Sequence, residues 1–257
     1  MLKPIGLQLY TLRDLAAKDF ASVLKKVADI GYIGIEPAGV FNIRPSEFKK
    51  MADDLGLKIF SSHTPWAVNP NTIGEAMEIA DILEQNKLAC GYGRNDFEDL
   101  DAIKRTAERT MQIYEIASQN GFTLFQHNHD FEFERIDGKL KYEIYKELCP
   151  QVKYEMDCFW STNHGQEDPV EMLKIFADST ILLHMKDGIC DSKVKTGQIV
   201  LRALGQGDLP IPELIKNMPD AVESIIVELD FCNIDMLEAV ELSYKYLTEN
   251  KLAKGNK

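Results

Sequence analysis

The chain has 257 residues, 45% hydrophobic and 27% charged, a mixture that can bury a sizeable core. Its 29 Lys and Arg against 41 Asp and Glu leave a formal net charge of −12, which argues against nucleic acid and anionic membranes, since both demand a basic surface. No apolar run approaches the ~20 residues of a membrane span. Met1-Leu2-Lys3-Pro4 leads into a strand-like segment with no leader pattern, and the five cysteines form no CxxC pair. The expectation is a cytoplasmic protein with reduced thiols.

Along the chain, short apolar β-rich runs alternate with segments of helical period. The first run, Ile5–Tyr10, is followed by a glycine-free turn, Tyr10-Thr11-Leu12-Arg13-Asp14. Phe20, Val23, Leu24, Val27 and Ile30 then repeat at i, i+3, i+4, i+7 and predict an amphipathic helix. Gly31 closes it as a left-handed cap before the second run, Tyr32–Pro37, and Gly56 does the same before the third, Lys58–His63. The fourth run is Lys87–Tyr92. Leu100, Ile103, Ala107, Met111, Tyr114 and Ala117 predict a longer helix, and Gly121 ends it ahead of the fifth run, Phe122–Asn128. Val152–Asp157 follows, and Asp168-Pro169-Val170-Glu171 reads as an N-cap, a Pro at N1 and an acidic N3. The last two runs are Thr180–Asp187 and Ser224–Asp230. The Gly-rich stretch Leu204–Pro210 lacks the Lys and Ser/Thr of a P-loop and reads as a mobile loop or substrate lid. Lys251–Lys257 reads as a frayed tail.

Strands separated by helices pair in parallel, because a crossover helix returns the chain to the same edge. Eight βα units in one domain spanning residues 1–257 match a (β/α)₈ barrel. A doubly wound open sheet is the alternative, although it usually carries a Gly-rich turn after its first strand.

Barrel chemistry collects at the C-terminal ends of the strands. Here those ends carry Gln8 and Tyr10, Glu36, Ser61-Ser62-His63, Gly91-Tyr92, Gln126-His127-Asn128-His129, Glu155-Met156-Asp157, His184-Met185-Lys186-Asp187 and Glu228-Leu229-Asp230. Ionised groups on apolar strands cost desolvation unless a partner or a metal offsets it. Asp157, His184 and Glu228 end successive strands and would converge on one divalent ion: Mn, Zn, Co or Mg. Strand parity turns Lys186 inward with His184, and His129 inward with His127, leaving Asn128 turned away. Lys186 is a candidate to hold a substrate oxygen; Tyr10 and His63 are candidate pocket residues. Trp66 and Trp160 follow strand ends and could give platforms for sugar rings or fill core. His164, in a polar loop, reads as surface or lid. Arg13, Arg94, Lys186 and Lys193 are the cations near enough to strand ends to meet a substrate phosphate.

Six stretches together resemble the sugar phosphate isomerase/epimerase family of the xylose-isomerase-like TIM barrel superfamily, which also holds ketose 3-epimerases, inosose dehydratases and endonuclease IV. They are Ile5–Asp14, His127–Phe133, Tyr154–Asp157, His184–Asp187, Leu204–Asp208 and Glu228–Asp230, in order over nearly the whole chain. The resemblance implies an ion held by Glu, Asp, His and Glu from strands five to eight. Asp157, His184 and Glu228 match three of these. The fourth departs, because His127 stands where many members have glutamate; either His127 supplies the fourth ligand or Glu132 swings in. By the same resemblance Glu228 is a base, and His127, His129 or Glu132 would return the proton. The implied activity is a metal-dependent isomerase or epimerase of a sugar, keto-sugar or sugar derivative through an enediolate. The alternatives are a lyase or dehydratase on a 3-keto sugar or inosose, and a non-catalytic carbohydrate-binding barrel. The implied partner is a small sugar molecule, and because such barrels often pair, a homo-oligomer is allowed for. An endonuclease would need more ligands than five histidines allow and a basic groove.

Overall fold

In a computed structural model, residues 1–39, 43–190 and 199–257 are described. Eight strands form one sheet, and we number them β1 (Ile5–Gln8), β2 (Gly34–Glu36), β3 (Lys58–Ile59), β4 (Lys87–Cys90), β5 (Thr123–His127), β6 (Lys153–Asp157), β7 (Thr180–Met185) and β8 (Ser224–Val227). The order across the sheet is β3-β2-β1-β8-β7-β6-β5-β4. Every neighbouring pair is parallel, and β1 pairs with β8, so the first strand closes on the last. This order never reverses as a doubly wound sheet does; the fold is the TIM barrel.

The crossover helices form where periodicity places them. Helix Phe20–Ile30 is capped by Asp19, whose carboxylate accepts the Ser22 N–H, and it buries Phe20, Val23, Leu24 and Val27. Helix Leu100–Gln119 is capped by Asp99 and buries Ile103, Ala107, Ile113 and Ala117. Gly31, Gly56 and Gly121 all have positive φ, as left-handed caps require. Asp168 accepts N–H bonds from Val170 and Glu171, with Pro169 as the first helical residue.

Inside the barrel the inward residues stack in layers, as strand parity demands. The floor is apolar: Ala89, Phe125, Leu182 and Ile226 form one buried cluster. Further along the strands the interior turns ionic: Glu36, Glu155 and His184 are fully buried, Asp157 and Lys186 follow two residues beyond Glu155 and His184, and Glu228 lies two residues beyond Ile226. Asn128 turns away from the interior and clamps β5 to β6: its Oδ1 accepts the Asp157 N–H at 2.9 Å and its Nδ2 donates to the Asp157 carbonyl at 3.2 Å.

Two expectations fail, for identifiable reasons. Residues 251–257 are not frayed: Lys254 donates its N–H to the Lys3 carbonyl and accepts that of Ile5, while Asn256 donates to the Gly31 carbonyl, so the tail is tied under β1. The stretch Leu204–Pro210 is not a free lid. The Asp187 carboxylate accepts the backbone N–H groups of Gly188, Gly205, Gly207 and Leu209 at 2.8–3.1 Å, pinning the loop to the end of β7. At Gly207 a Cβ would lie 2.2 Å from that carboxylate, so only glycine lets the chain approach. Asp187→Ala should therefore loosen this loop, with limited proteolysis cutting between residues 203 and 210 much faster than in the parent while the barrel remains folded by circular dichroism.

Candidate active site and metal centre

The ionic layers open at the C-terminal mouth into a cavity of about 290 Å³ whose lining includes Gln8, Tyr10, His63, Trp66, His127, His129, Lys186, Glu228 and Asp230. Its volume lies at the small end of ligand pockets, the size of a small molecule rather than a polymer. A larger depression of about 700 Å³, lined by Lys26, Asp29, Glu241 and Lys245 among others, lies on the outer wall between two helices and gathers no convergent ligands.

His127, Asp157, His184 and Glu228 each offer one ligand atom, all within 4.8 Å of one another, and all four residues are buried. His184 Nδ1 lies 2.7 Å from Glu228 Oε2 and 3.0 Å from His127 Nε2. His127 Nε2 is 3.7 Å from Asp157 Oδ2. Two imidazole nitrogens and two carboxylate oxygens at this spacing are a donor set for a borderline divalent cation. Asp157 Oδ2 takes no hydrogen bond among the described residues, although the Lys186 ammonium is 2.9 Å away. The residues present therefore fit an ion, and His127, not Glu132, is the β5-side residue in the group that could hold one. Glu132 is fully buried, its Oε2 accepting the His129 N–H at 2.9 Å and its Oε1 without a hydrogen bond among the described residues.

A second set of four lies one layer deeper: Glu36, His63, Glu155 and His184, again within 4.8 Å. His184 belongs to both sets because its two nitrogens face opposite ways. Its Nε2–H donates to Glu36 Oε2 at 2.6 Å, while Nδ1 faces the upper set. Glu36 is itself fixed by Gln8 Nε2 at 2.7 Å and by the Ser61 hydroxyl. His63 Nε2–H donates to Glu155 Oε2 at 2.6 Å, and its ring stacks on His184 and against Trp66. Glu36 and Glu155 are the residues that sequence reasoning noted as strand ends but did not place in the site. Their signal was parity, since Glu155 shares a face with Asp157.

Lys186 is not a solvated loop lysine. It is 1% exposed, with its ammonium 2.9 Å from Asp157 Oδ2, 2.9 Å from Glu228 Oε2 and 3.0 Å from Asp230 Oδ2, and it lies over the Trp160 ring at 5.1 Å. Trp160 is thus a buried wall behind Lys186 and is not part of the cavity lining; Trp66 and Tyr10, 38% and 40% exposed, are the aromatic residues that line it. His164 is half-buried, bonded to Asp130 rather than free at the surface.

Burial pushes the Glu228 carboxyl up, but the Lys186 and His184 cations outweigh it and hold it well below the usual carboxylate range. Asp157 is held low against the same desolvation by Lys186 and His127. Desolvation brings His127 down to about 3 and also lowers His129, so both rings are neutral at neutral pH. His184 moves the other way: Glu155, Glu228 and Glu36 outweigh burial and raise it well above an ordinary histidine. Desolvation raises the Glu132 carboxyl well above the usual range. The site thus pairs an ionised carboxylate at the cavity wall with an ammonium beside it.

The family model for xylose isomerase-like TIM barrels matches residues 24–231, and the chain belongs to that family. A solved sugar phosphate isomerase/epimerase from Parabacteroides distasonis is 25% identical over 99% of this chain and 96% of its own, with a TM-score of 0.77. A probable 3-DHS dehydratase from Bacillus anthracis (16% identity, 95% and 98% covered, TM-score 0.72) and a D-allulose 3-epimerase from Methylomonas sp. (12%, 96% and 97%, TM-score 0.71) share the fold. No curated protein sequence matches. Among the described residues no helix is long and apolar enough to cross a membrane.

Removing the Lys186 charge while keeping its bulk leaves three carboxylate contacts uncompensated. Lys186→Met should lower stability in urea by about 3–5 kcal/mol, the cost of breaking a buried ion pair from one side.

Proposed function

We propose that this chain is a divalent-metal-dependent isomerase or epimerase of a sugar, keto-sugar or sugar derivative, working through an enediolate. The observation that carries the reading is the buried set His127, Asp157, His184 and Glu228 at the edge of a cavity of about 290 Å³. A divalent ion bound there would supply Lewis acidity to a carbonyl and its neighbouring hydroxyl, easing removal of the proton on the carbon between them. Glu228, ionised and lining the cavity, is the group to accept that proton. Lys186 offers its ammonium to a developing oxyanion. His129 lines the cavity and is the group to face the substrate from β5, whereas the Glu132 carboxyl is turned under it onto the His129 backbone.

A second reading, a lyase or dehydratase on a 3-keto sugar or inosose, rests on the asymmetry of the site. With His127 on β5 the proposed ligand set keeps one carboxylate at the cavity wall, Glu228, with the Lys186 ammonium 2.9 Å from it. Proton removal by one and oxygen departure assisted by the other is elimination chemistry. Both readings begin with the same deprotonation.

Incubation with a ketose panel in deuterated water separates them: carbon-bound deuterium with sugar mass conserved supports isomerase or epimerase, and loss of water or aglycone supports the lyase. Protein purified without chelator should carry close to one divalent ion per chain; failure to find or restore one contradicts both readings and leaves the binding barrel. Asp157→Ala should lose ion and exchange together. Glu228→Gln should keep part of the ion binding while exchange falls by about 10²–10⁴, the usual worth of a positioned base. Glu36→Gln removes the group orienting His184 and should weaken ion affinity about 10–100-fold in a competition titration.

A further inference from the structure

Four cations lie near strand ends in the sequence, and they meet different partners. The Arg13 guanidinium donates to the backbone carbonyls of Tyr10 and Asp230, at 3.0 and 2.7 Å. Arg94 pairs with Asp130 and Glu134, each at 2.6 Å. Lys193 lies outside the described residues. Lys186 stands apart, because two of its three carboxylate contacts are to members of the candidate ligand set. Its ammonium is 2.9 Å from Asp157 Oδ2 and 2.9 Å from Glu228 Oε2, the same two oxygens that face His127 Nε2 at 3.7 and 3.9 Å. A positive charge of the chain's own therefore already neutralises the carboxylates that an ion would use.

One oxygen can bond two cations only by holding them side by side. Here that would happen above the apolar floor of Ala89, Phe125, Leu182 and Ile226, where little water screens the repulsion. The donors of the ligand set are fixed by the strands that carry them, whereas lysine bears its charge on a flexible four-carbon stem, so the ammonium is the partner that moves. It is not locked by directed bonds. Asp157 Oδ2 and Asp230 Oδ2 both lack a hydrogen bond among the described residues, although the ammonium is 2.9 and 3.0 Å from them. Asp230 also gives it somewhere to go. That residue belongs to neither group that could hold an ion, and it lines the cavity with its side chain 29% exposed, against 0% for Asp157. The Trp160 ring, 5.1 Å from Nζ, backs the lysine.

We propose that Lys186 is a built-in counter-cation that competes with a divalent ion for Asp157 and Glu228, and that Asp230 takes the ammonium over when the ion binds. Lys186 then sets how tightly the ion is held, and Asp230 is a positioning residue acting through it. Loading the ion shifts the ammonium from the buried carboxylates toward the cavity wall, where a substrate oxygen enters. The proposal rests on the reading of His127, Asp157, His184 and Glu228 as the ion-binding set.

The test is zinc affinity, measured by competition with a chromophoric chelator at one fixed pH, in the parent, Lys186→Met, Asp230→Asn and the double variant. Lys186→Met should bind zinc about tenfold tighter than the parent, and zinc should raise its melting temperature by more than it raises the parent's. Asp230→Asn should weaken binding about tenfold in the parent but only about two- to threefold in the Lys186→Met background, where no ammonium remains to be taken over. Equal or weaker binding by folded Lys186→Met overturns the proposal and spares the isomerase reading. Binding by Lys186→Met but not by the parent upholds the proposal and contradicts that reading, and zinc bound by none of the four overturns both. An equal loss from Asp230→Asn in both backgrounds overturns the role given to Asp230. Crystals of the parent grown with zinc decide independently of whether Lys186→Met folds. Nζ should leave Asp157 Oδ2 and Glu228 Oε2 and remain on Asp230; an ammonium still on all three beside a bound ion overturns the proposal.

Discussion

The site depends on one imidazole gripped at both ends. His184 is 0% exposed, so its ring cannot turn to water for partners, and both nitrogens are met by carboxylates at 2.6–2.7 Å. Glu36 from β2 takes the deep nitrogen and Glu228 from β8 stands at the shallow one. A carboxylate at each nitrogen holds the ring in one orientation and favours its protonated form, so an ion at Nδ1 would have to displace that nitrogen's proton. The barrel supplies this aim cheaply: β2, β7 and β8 are parallel strands of one curled sheet, and their inward side chains meet without any loop having to fold correctly. Ser61 and Gln8, which hold Glu36, extend the same grip to β1 and the end of β3.

Burying so many charges would be ruinous for each alone. The arrangement survives because the signs alternate through the stack. Glu36 and Glu155 lie beside His63 and His184, and Asp157, Glu228 and Asp230 surround Lys186. Directly beneath is the apolar floor of Ala89, Phe125, Leu182 and Ile226, which keeps water from entering below and keeps the effective dielectric low. The ionic layers are therefore sensitive to one another in a way that surface pairs such as Lys25–Asp29 on a solvated helix are not.

Much of this was legible in the sequence because barrels translate chain order into space directly. Alternating runs and glycine caps locate the strands, and parity then says which residue of each run faces inward. Asp157, His184 and Glu228 follow from that rule, and so does Asn128 turning away. What the rule does not give is depth. Glu36 and Glu155 read as ordinary strand residues until β2, β6 and β7 are placed side by side and both carboxylates fall against His184 and His63. Trp66 and Trp160 are indistinguishable by motif; the difference is that Trp160 is covered by a second small core with Phe159, Leu201 and Leu229, while Trp66 stands against His63 at the mouth. The Leu204–Pro210 stretch misleads because glycines signal mobility and close approach equally well. Here the Asp187 carboxylate, out of sight in sequence, decides for close approach.

His127 is the point at which this chain parts from the family pattern implied by its motifs, and the surroundings show why the exchange is tolerated. A glutamate there would add another carboxylate to a mouth that already holds Asp157, Glu228 and Asp230 around a single lysine. The imidazole adds none: desolvation keeps it neutral, and its Nε2 still reaches the common point 3.0 Å from His184. Compared with the glutamate that the resemblance implies, an imidazole offers one donor atom while adding no negative charge for the fold to bury. On the proposed reading it also leaves the β5 side of the cavity without a carboxylate base, and Glu228 as the wall carboxylate of the candidate ligand set. A reaction that needs two equivalent bases on opposite faces loses ground by this change, and one that needs a base and a cation gains it, so the ligand exchange and the choice between epimerisation and elimination are one question of charge.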